Sequence, residues 1–597
     1  MKIPQPENPG DLLFASSTGI HWFSNPETQV VCYDSAAIAD ALDRLDGYIA
    51  KGRYIAGFLA YEAGWDFLDR PAPKQKHGFP LVWFGVYSTA VTLPPFTEAL
   101  QAMKEQCCWQ PAIAHQDYCR SMDGIRTYIG NGDIYQANFT FPLETQTKID
   151  PAPWFWQLYS SQPTDHAAYL DMGRHKILSL SPELFFNLSG DELITRPMKG
   201  TIPRGLYPAQ DEQNRRQLLD SEKDHAENVM IVDLLRNDMG KISRTNSVEV
   251  VSLFDVEKYA TVWQMTSTIK SKTNASFAAI MAALFPSGSV TGAPKIRAME
   301  IIDEVEPFPR GIYCGTIGWW GPNRTASFNV AIRTITLDTQ TQKAVYPVGG
   351  GITWYSNTEG EYAECLAKAR TVMTPSPTFS LLETMVYDGT IFLLEEHLDR
   401  LCASADFFDI PVNREDIQKA VFYYAKTVET GRWKIRLLLH HDGTHHLEAS
   451  PIHDSSNSVR QRPTLSDLSN NPVKKVVVAN TPIDKNNVFL YHKTTHRKIY
   501  EEAKKAHPET DDVLLWNEAG ELTESTIANI VAEIEGELIT PPVSCGLLAG
   551  VMRGHLLQKG KIQEGVIHKD DLKRIDNLYL INSVRGWMRA EIASTKL

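Results

Sequence analysis

The chain has 597 residues, far above the size at which one hydrophobic core stops growing, so two or more domains are expected. It is 43% hydrophobic and 22% charged, which excludes a disordered or fibrous chain. A formal net charge of -13 argues against nucleic acid as the main partner, because a phosphate backbone calls for clustered Lys and Arg.

The eight cysteines include no CxxC pair and are too sparse for a disulfide framework, so reduced thiols are expected. Met1-Lys2-Ile3-Pro4 leads into polar sequence, and no apolar run approaches the roughly 18 residues of a membrane span. A soluble cytoplasmic protein with no membrane partner is the expectation.

In chain order, the first segment with chemical promise is Arg196-Pro197-Met198-Lys199-Gly200-Thr201, after the strand-like Glu192 to Thr195. Lys199 is either a surface lysine or, if desolvation or a neighbouring cation keeps its amine neutral, a nucleophile. Glu222 to Leu235 then reads as a helix with Ala226, Val229, Met230, Val232 and Leu234 on its apolar side. Lys223 and Glu227 lie four apart on it, a spacing that fits a solvated salt bridge as well as a site. Gly288-Ser289-Val290-Thr291-Gly292-Ala293-Pro294-Lys295 opens another helix, but it lacks GxxxxGK[ST]. A carboxylate-binding turn is better supported there than an ATP loop. Phe328 to Ile335 alternates as one strand.

Gly349-Gly350-Gly351 allows close backbone approach to a ligand, or is a plain turn. Beyond it, Glu361, Glu364 and Lys368 are spaced to share one helical stripe. Two clustered carboxylates repel unless a proton or cation sits between them, and oxygen ligands of this kind suit Mg²⁺. Prolines 375 and 377 in Thr374-Pro375-Ser376-Pro377-Thr378 end the helix, which sets domains of 1–374 and 375–597. The polar stretch from Asn457 to Asn471 reads as a surface loop.

Together with Gly132-Asp133-Ile134-Tyr135-Gln136-Ala137-Asn138 and Ser181-Pro182-Glu183, these segments resemble the chorismate-utilising enzymes over roughly Tyr118 to Met373. That group holds anthranilate synthase component I, aminodeoxychorismate synthase component I, isochorismate synthase and salicylate synthase. The resemblance implies a large layered chorismate-binding β-sandwich with helices. It makes Glu227 and Glu364 the Mg²⁺ ligands, supported by Glu361. Tyr313 and Arg333 would hold the enolpyruvyl carboxylate, while Thr291 and Gly350 would line the ring pocket, with Thr291 at the catalytic centre and Lys368 on the substrate. Lys199 would be the nucleophile that attacks C2 of chorismate, so that ammonia then enters at C4. Alanine is usual there in anthranilate synthases, so an anthranilate synthase is disfavoured. Gln264 stands where many relatives have histidine; it can hydrogen-bond a leaving hydroxyl but cannot carry a proton as imidazolium does. Asp11-Leu12-Leu13-Phe14 lacks the Leu-Leu-Glu-Ser signature of tryptophan feedback sites. No glutamine-hydrolysing segment is found, so ammonia is expected from a separate glutamine amidotransferase subunit.

In the second half, Leu490-Tyr491-His492-Lys493-Thr494-Thr495-His496-Arg497 offers a lysine flanked by hydroxyls and aromatics, or a basic surface turn. Glu521 to Ile530 reads as a turn entering a strand, or as a helix start at Thr523 with Thr526, and a carboxylate there could pair with a pyridinium nitrogen. Pro541 to Arg553 could place glycine N–H groups around a phosphate. With Glu383-Thr384, Phe392-Leu393-Leu394 and His397-Leu398-Asp399-Arg400-Leu401, these resemble the branched-chain-aminotransferase-like pyridoxal-phosphate enzymes from Phe379 onwards. That group includes aminodeoxychorismate lyase and D-amino-acid transaminases. The resemblance implies a two-lobed α+β class IV domain, and α+β for the whole chain. Lys493 becomes the Schiff-base lysine, Glu524 the pyridine partner, and Arg400 with Gly550, Val551 and Met552 the pyridoxal 5'-phosphate holder. Met552 departs from the hydroxyl residue common there, and Asn582-Ser583-Val584-Arg585-Gly586 resembles a substrate-side loop. Fusion to the first domain favours a lyase that yields 4-aminobenzoate; a transaminase or a non-catalytic domain is the alternative. A homodimer through this domain is expected from the group.

Overall fold

The computed structural model describes residues 6, 8–68, 78–96, 107–373, 377, 379–452, 465 and 472–593. The proline seam and the polar 457–471 stretch, apart from Pro377 and Leu465, lie outside them. The chain divides into two compact units, 1–204 with 214–376 and 205–213 with 377–597.

The first unit holds two sheets, each of ten strands among the described residues. Their central strands are apolar on both faces, and alternation sends neighbours to different cores. Leu12, Ala168 and Leu170 meet Ala56, Phe58 and Trp83 of the other sheet in one shared core. Leu13, Ala167 and Tyr169 instead pack against helices on one outside, and Ile55 and Leu59 against helices on the other. The result is a β-sandwich covered by helices on both outer faces.

Six elements build the site: β1 (Gln136–Gln146), β2 (Met198–Pro203), α1 (Glu222–Gly240), β3 (Val262–Lys272), β4 (Lys343–Ile352) and α2 (Thr358–Met373). β1 pairs with β4 in one sheet, β2 with β3 in the other. Ser221 caps α1 by accepting from the Asp224 N–H, and Asn357 accepts from the Glu359 and Gly360 N–H groups to start α2.

Two local expectations change, and one pair of alternatives is decided. The buried face of α1 runs through Asn228, Ile231, Val232, Leu235 and Met239, while Ala226 and Val229 are exposed, because strand packing and not overall apolarity sets which stripe turns inward. The single strand predicted over 328–335 is two, Thr325–Val330 in one sheet and Thr334–Asp338 in the other. Arg333, at φ 49 in the left-handed region, lies in the short link where the chain crosses between sheets. The glycine run is no turn: Gly349, Gly350 and Gly351 sit in β4 opposite Thr140, Phe139 and Asn138.

The second unit is two-lobed. One lobe is a three-stranded sheet of β5 (Leu381–Tyr387) with Trp433–Leu439 and His445–Pro451. It packs on α3 (Leu394–Phe407) and on Arg414–Ala425. The other is a mixed eight-stranded sheet that includes β6 (Leu522–Ser525) and β7 (Asn529–Ile534), flanked by α4 (Lys498–Ala506) and α5 (Val551–Gln558). No described helix is long and apolar enough to cross a membrane.

Candidate functional sites

In the first unit the separate sequence segments converge on Lys199. Its half-buried amine points across the site to β4: a Cβ added to Gly351 would stand 3.0 Å from Lys199 Nζ and 2.1 Å from Gln136 Nε2. Burial pulls the Lys199 amine below the ordinary lysine range, opposed by the carboxylates of Glu227 and Glu183. That is the condition for a nucleophilic amine. Glu183, quoted in the sequence only as part of a motif, is buried, and burial pushes its carboxyl up to about 7. Its Oε1 has no hydrogen-bond partner among the described residues. Spacing gave no sign of this coupling, because Glu183 and Lys199 lie on separate segments of the chain.

Two of the predicted metal ligands, Glu227 and Glu364, act electrostatically on the same amine, and each of the three has its own partner. Lys223 Nζ lies 3.8 Å from Glu227 Oε1, Ser356 Oγ donates to Glu361 at 2.7 Å, and Lys368 Nζ lies 2.8 Å from Glu364. Lys368 also donates to the Gly349 carbonyl at 3.0 Å. A Cβ on Gly350 would lie 3.2 Å from Glu361 Oε2, so glycine lets α2 close on β4. Burial, with Glu364 adding repulsion, raises both Glu227 and Glu361 above the usual carboxylate range. An all-oxygen set whose charges repel fits a hard divalent cation. Among the described residues, the one trio with ligand atoms all within 4.8 Å is instead His115, Cys119 and Glu359. Its short approaches use opposite ring nitrogens of His115, 3.8 Å to Cys119 and 3.3 Å to Glu359, which describes an ion pair better than a metal site.

Among the described residues, the other predicted residues make no hydrogen bond or ion pair to Lys199 or the three carboxylates. Thr291 is fully buried and donates to the Ser287 and Gly288 carbonyls at 3.1 and 3.3 Å. Tyr313 is buried, which drives its hydroxyl far above its ordinary range. The half-buried Arg333 side chain has no hydrogen bond or ion pair among the described residues, a state that suits an anionic ligand. Gln264 lies on β3 with its amide turned to β2: Thr201 Oγ1 donates to its Oε1, and its Nε2 donates to the Gly200 carbonyl.

The second unit carries its own cluster. The Lys493 carbonyl accepts from Leu382 N at 2.9 Å, tying the lysine loop to β5, and His492 and Thr494 beside it are buried. Burial, reinforced by Arg400, pulls the Lys493 amine down to about 8. Glu524 on β6 accepts from Tyr500 OH at 2.8 Å, Leu548 N at 3.2 Å and Asn529 Nδ2 at 3.2 Å. Burial still lifts it to about 7, so it can hold or share a proton.

Arg400 on α3 donates from Nε and Nη2 to Glu383 at 2.8 and 2.7 Å, and from Nη1 to the Ala549 carbonyl at 3.3 Å. That last bond brings it to the start of α5, whose N-terminus at Gly550 has no side-chain cap. A Cβ on Gly550 would stand 1.9 Å from Asn529 Oδ1. Val551 is buried, and Met552 packs into the apolar cluster of Val531, Leu556 and Trp587. A half-buried lysine, a carboxylate able to meet a ring nitrogen, and a free helix start beside an arginine fit pyridoxal 5'-phosphate.

The layered sandwich and the two-lobed unit define a protein with two catalytic-type domains. Residues 12–374, more than half of the chain, match the chorismate binding enzyme family, and the protein belongs to it. Residues 380–592 match amino-transferase class IV, so the chorismate-binding domain is fused to a class IV fold. The chain is similar to aminodeoxychorismate synthase component 1 of Salmonella typhimurium, 39% identical over 45% of this chain and 59% of that protein. It is equally similar to anthranilate synthase component 1 3 of Haloarcula marismortui, 39% identical over 47% of this chain and 54% of that one. The chain thus spans under two thirds of the length of these relatives. Anthranilate synthase component I from Streptococcus pneumoniae shares the fold, with a TM-score of 0.53 and 24% identity over 62% of this chain and 94% of that one.

Proposed function

We propose that the chain makes 4-aminobenzoate, aminating chorismate at C4 in its first unit and eliminating pyruvate in its second. The observation that carries this is Lys199, a depressed amine facing β4 and under the influence of Glu227, Glu183 and Glu364 in a chorismate-binding fold. Similarity alone does not choose between 2- and 4-amination, since both kinds of relative match equally well. Neutral Lys199 attacks C2 of the ring, the two double bonds shift, and the C4 hydroxyl leaves as water. Ammonia then forms a bond at C4, the double bonds shift back, and the Lys199–C2 bond breaks to release 4-amino-4-deoxychorismate. Arg333 holds a substrate carboxylate. Glu227 and Glu364, with Glu361, would hold Mg²⁺, which supplies Lewis-acid charge at the ring carboxylate. The relatives' designation as component 1 supports a separate amidotransferase subunit as the ammonia source.

In the second unit, Glu524, Arg400 and the start of α5 would hold pyridoxal 5'-phosphate, which supplies an electron sink. Lys493, neutral above about pH 8, takes the C4 proton as the enolpyruvyl group leaves from C3 as pyruvate and the ring becomes aromatic. Purified full chain given chorismate, Mg²⁺ and an ammonium salt should yield 4-aminobenzoate and pyruvate, and Lys199→Ala should yield neither. Formation of 2-aminobenzoate, or full turnover by Lys199→Ala, overturns the first step. Accumulation of the amino intermediate in the presence of pyridoxal 5'-phosphate overturns the second.

A further inference from the structure

We propose that Gln264 is a positioning residue for Lys199, clamping the β2 bulge that aims the lysine, and does not itself meet the reacting hydroxyl. This rests on the nucleophilic reading of Lys199. Along the β2–β3 pair, Met198 is opposite Thr266 and Thr201 opposite Gln264. The interval is one residue longer on β2, so Lys199 and Gly200 form a bulge, the device by which strands re-aim a side chain. Gly200 sits at φ +89, where a Cβ would come within 2.9 Å of Asp224 Cβ on α1, so the bulge presses against the helix that carries Glu227.

A bulge loses ladder bonds, and here a side chain replaces them. Gln264, 9% exposed, accepts from Thr201 Oγ1 at 2.8 Å and donates from Nε2 to the Gly200 carbonyl at 2.8 Å and to the Met265 carbonyl at 3.3 Å. The two carbonyls fix which end of the amide is nitrogen. Both ends are therefore committed to the two residues that follow Lys199. Glutamine supplies donor and acceptor from one planar group, whereas an ionised carboxylate would set an oxygen against the Gly200 carbonyl. A shift of the bulge by an ångström would move the amine off the β4 wall, and misplacement on that scale lowers rates by about 100-fold.

The test compares Gln264→Ala, Gln264→Glu and Lys199→Ala in the full chain with chorismate, Mg²⁺ and ammonium. Gln264→Ala should lower the kcat of amination about 10- to 100-fold, with KM for chorismate changed less than about threefold. Gln264→Glu should be as slow at neutral pH and recover relative to wild type as pH falls, since a protonated carboxyl regains a donor for Gly200. Burial favours that proton, as does Glu257 opposite on the neighbouring strand, whose charge is partly offset by its ion pair with Arg196. A residue that only stabilised the fold would not tie recovery to a proton, and recovery itself reports folded enzyme should Gln264→Ala fail to fold. Wild-type kcat in Gln264→Ala, or no pH-dependent recovery in Gln264→Glu, overturns the inference while an inactive Lys199→Ala leaves the lysine reading intact. An active Lys199→Ala overturns both.

Discussion

Replacing Glu383 by glutamine should loosen one lobe of the second unit by an amount the structure sets. Glu383 is 1% exposed and accepts two bonds from Arg400 and one, at 2.6 Å, from the Nδ1–H of His397, whose own charge is disfavoured by burial. Burial alone would raise the Glu383 carboxyl, but Arg400 and His397 outweigh it and hold it at about 2. Against the ordinary value of 4.5 that is a roughly 300-fold weaker hold on the proton, or about 3 kcal/mol of native stability. Because the folded value is depressed, this contribution is complete above about pH 5 and is lost as pH falls towards about 2. Mutational experience with broken buried ion pairs gives a similar about 3–5 kcal/mol. Hydrogen exchange read by mass spectrometry on peptides from β5 and α3 should therefore show roughly 100-fold faster opening in Glu383→Gln at neutral pH. The variant should also lack the acid-dependent loss expected of wild type. Opening rates within about threefold of wild type would show that the pair contributes little and refute the reasoning.

Lys493, held at about 8, is about one-tenth neutral at pH 7, against under a thousandth for an ordinary lysine. Capture of pyridoxal 5'-phosphate by the apo chain, followed by absorbance, should rise about tenfold per pH unit and level off above about pH 8; a flat profile would contradict it. Chelating divalent cations should stop amination of chorismate but leave release of pyruvate from supplied 4-amino-4-deoxychorismate intact, and loss of both activities would count against two independent sites. Gly351→Ala places a methyl 2.1 Å from Gln136 Nε2 and 3.0 Å from Lys199 Nζ, so amination assays should show at least a tenfold lower kcat.

The sequence by itself determined the fusion of two families and the α+β class. Helical spacing sufficed to put Glu361, Glu364 and Lys368 on one stripe, because that relation is local. The tertiary structure alone decided what each residue faces. Glu183 became electrostatically coupled to Lys199, Glu383 the anchor of Arg400, and Gln264 a partner of Gly200 and Thr201, all through relations between separate elements. The glycine run and the crossover at Arg333 changed meaning for the same reason: strand or turn there depends on which neighbours fill the space of a missing Cβ and which sheet the next residues join. Periodicity encodes which way a side chain points along its own element; packing between distant segments decides what it meets there.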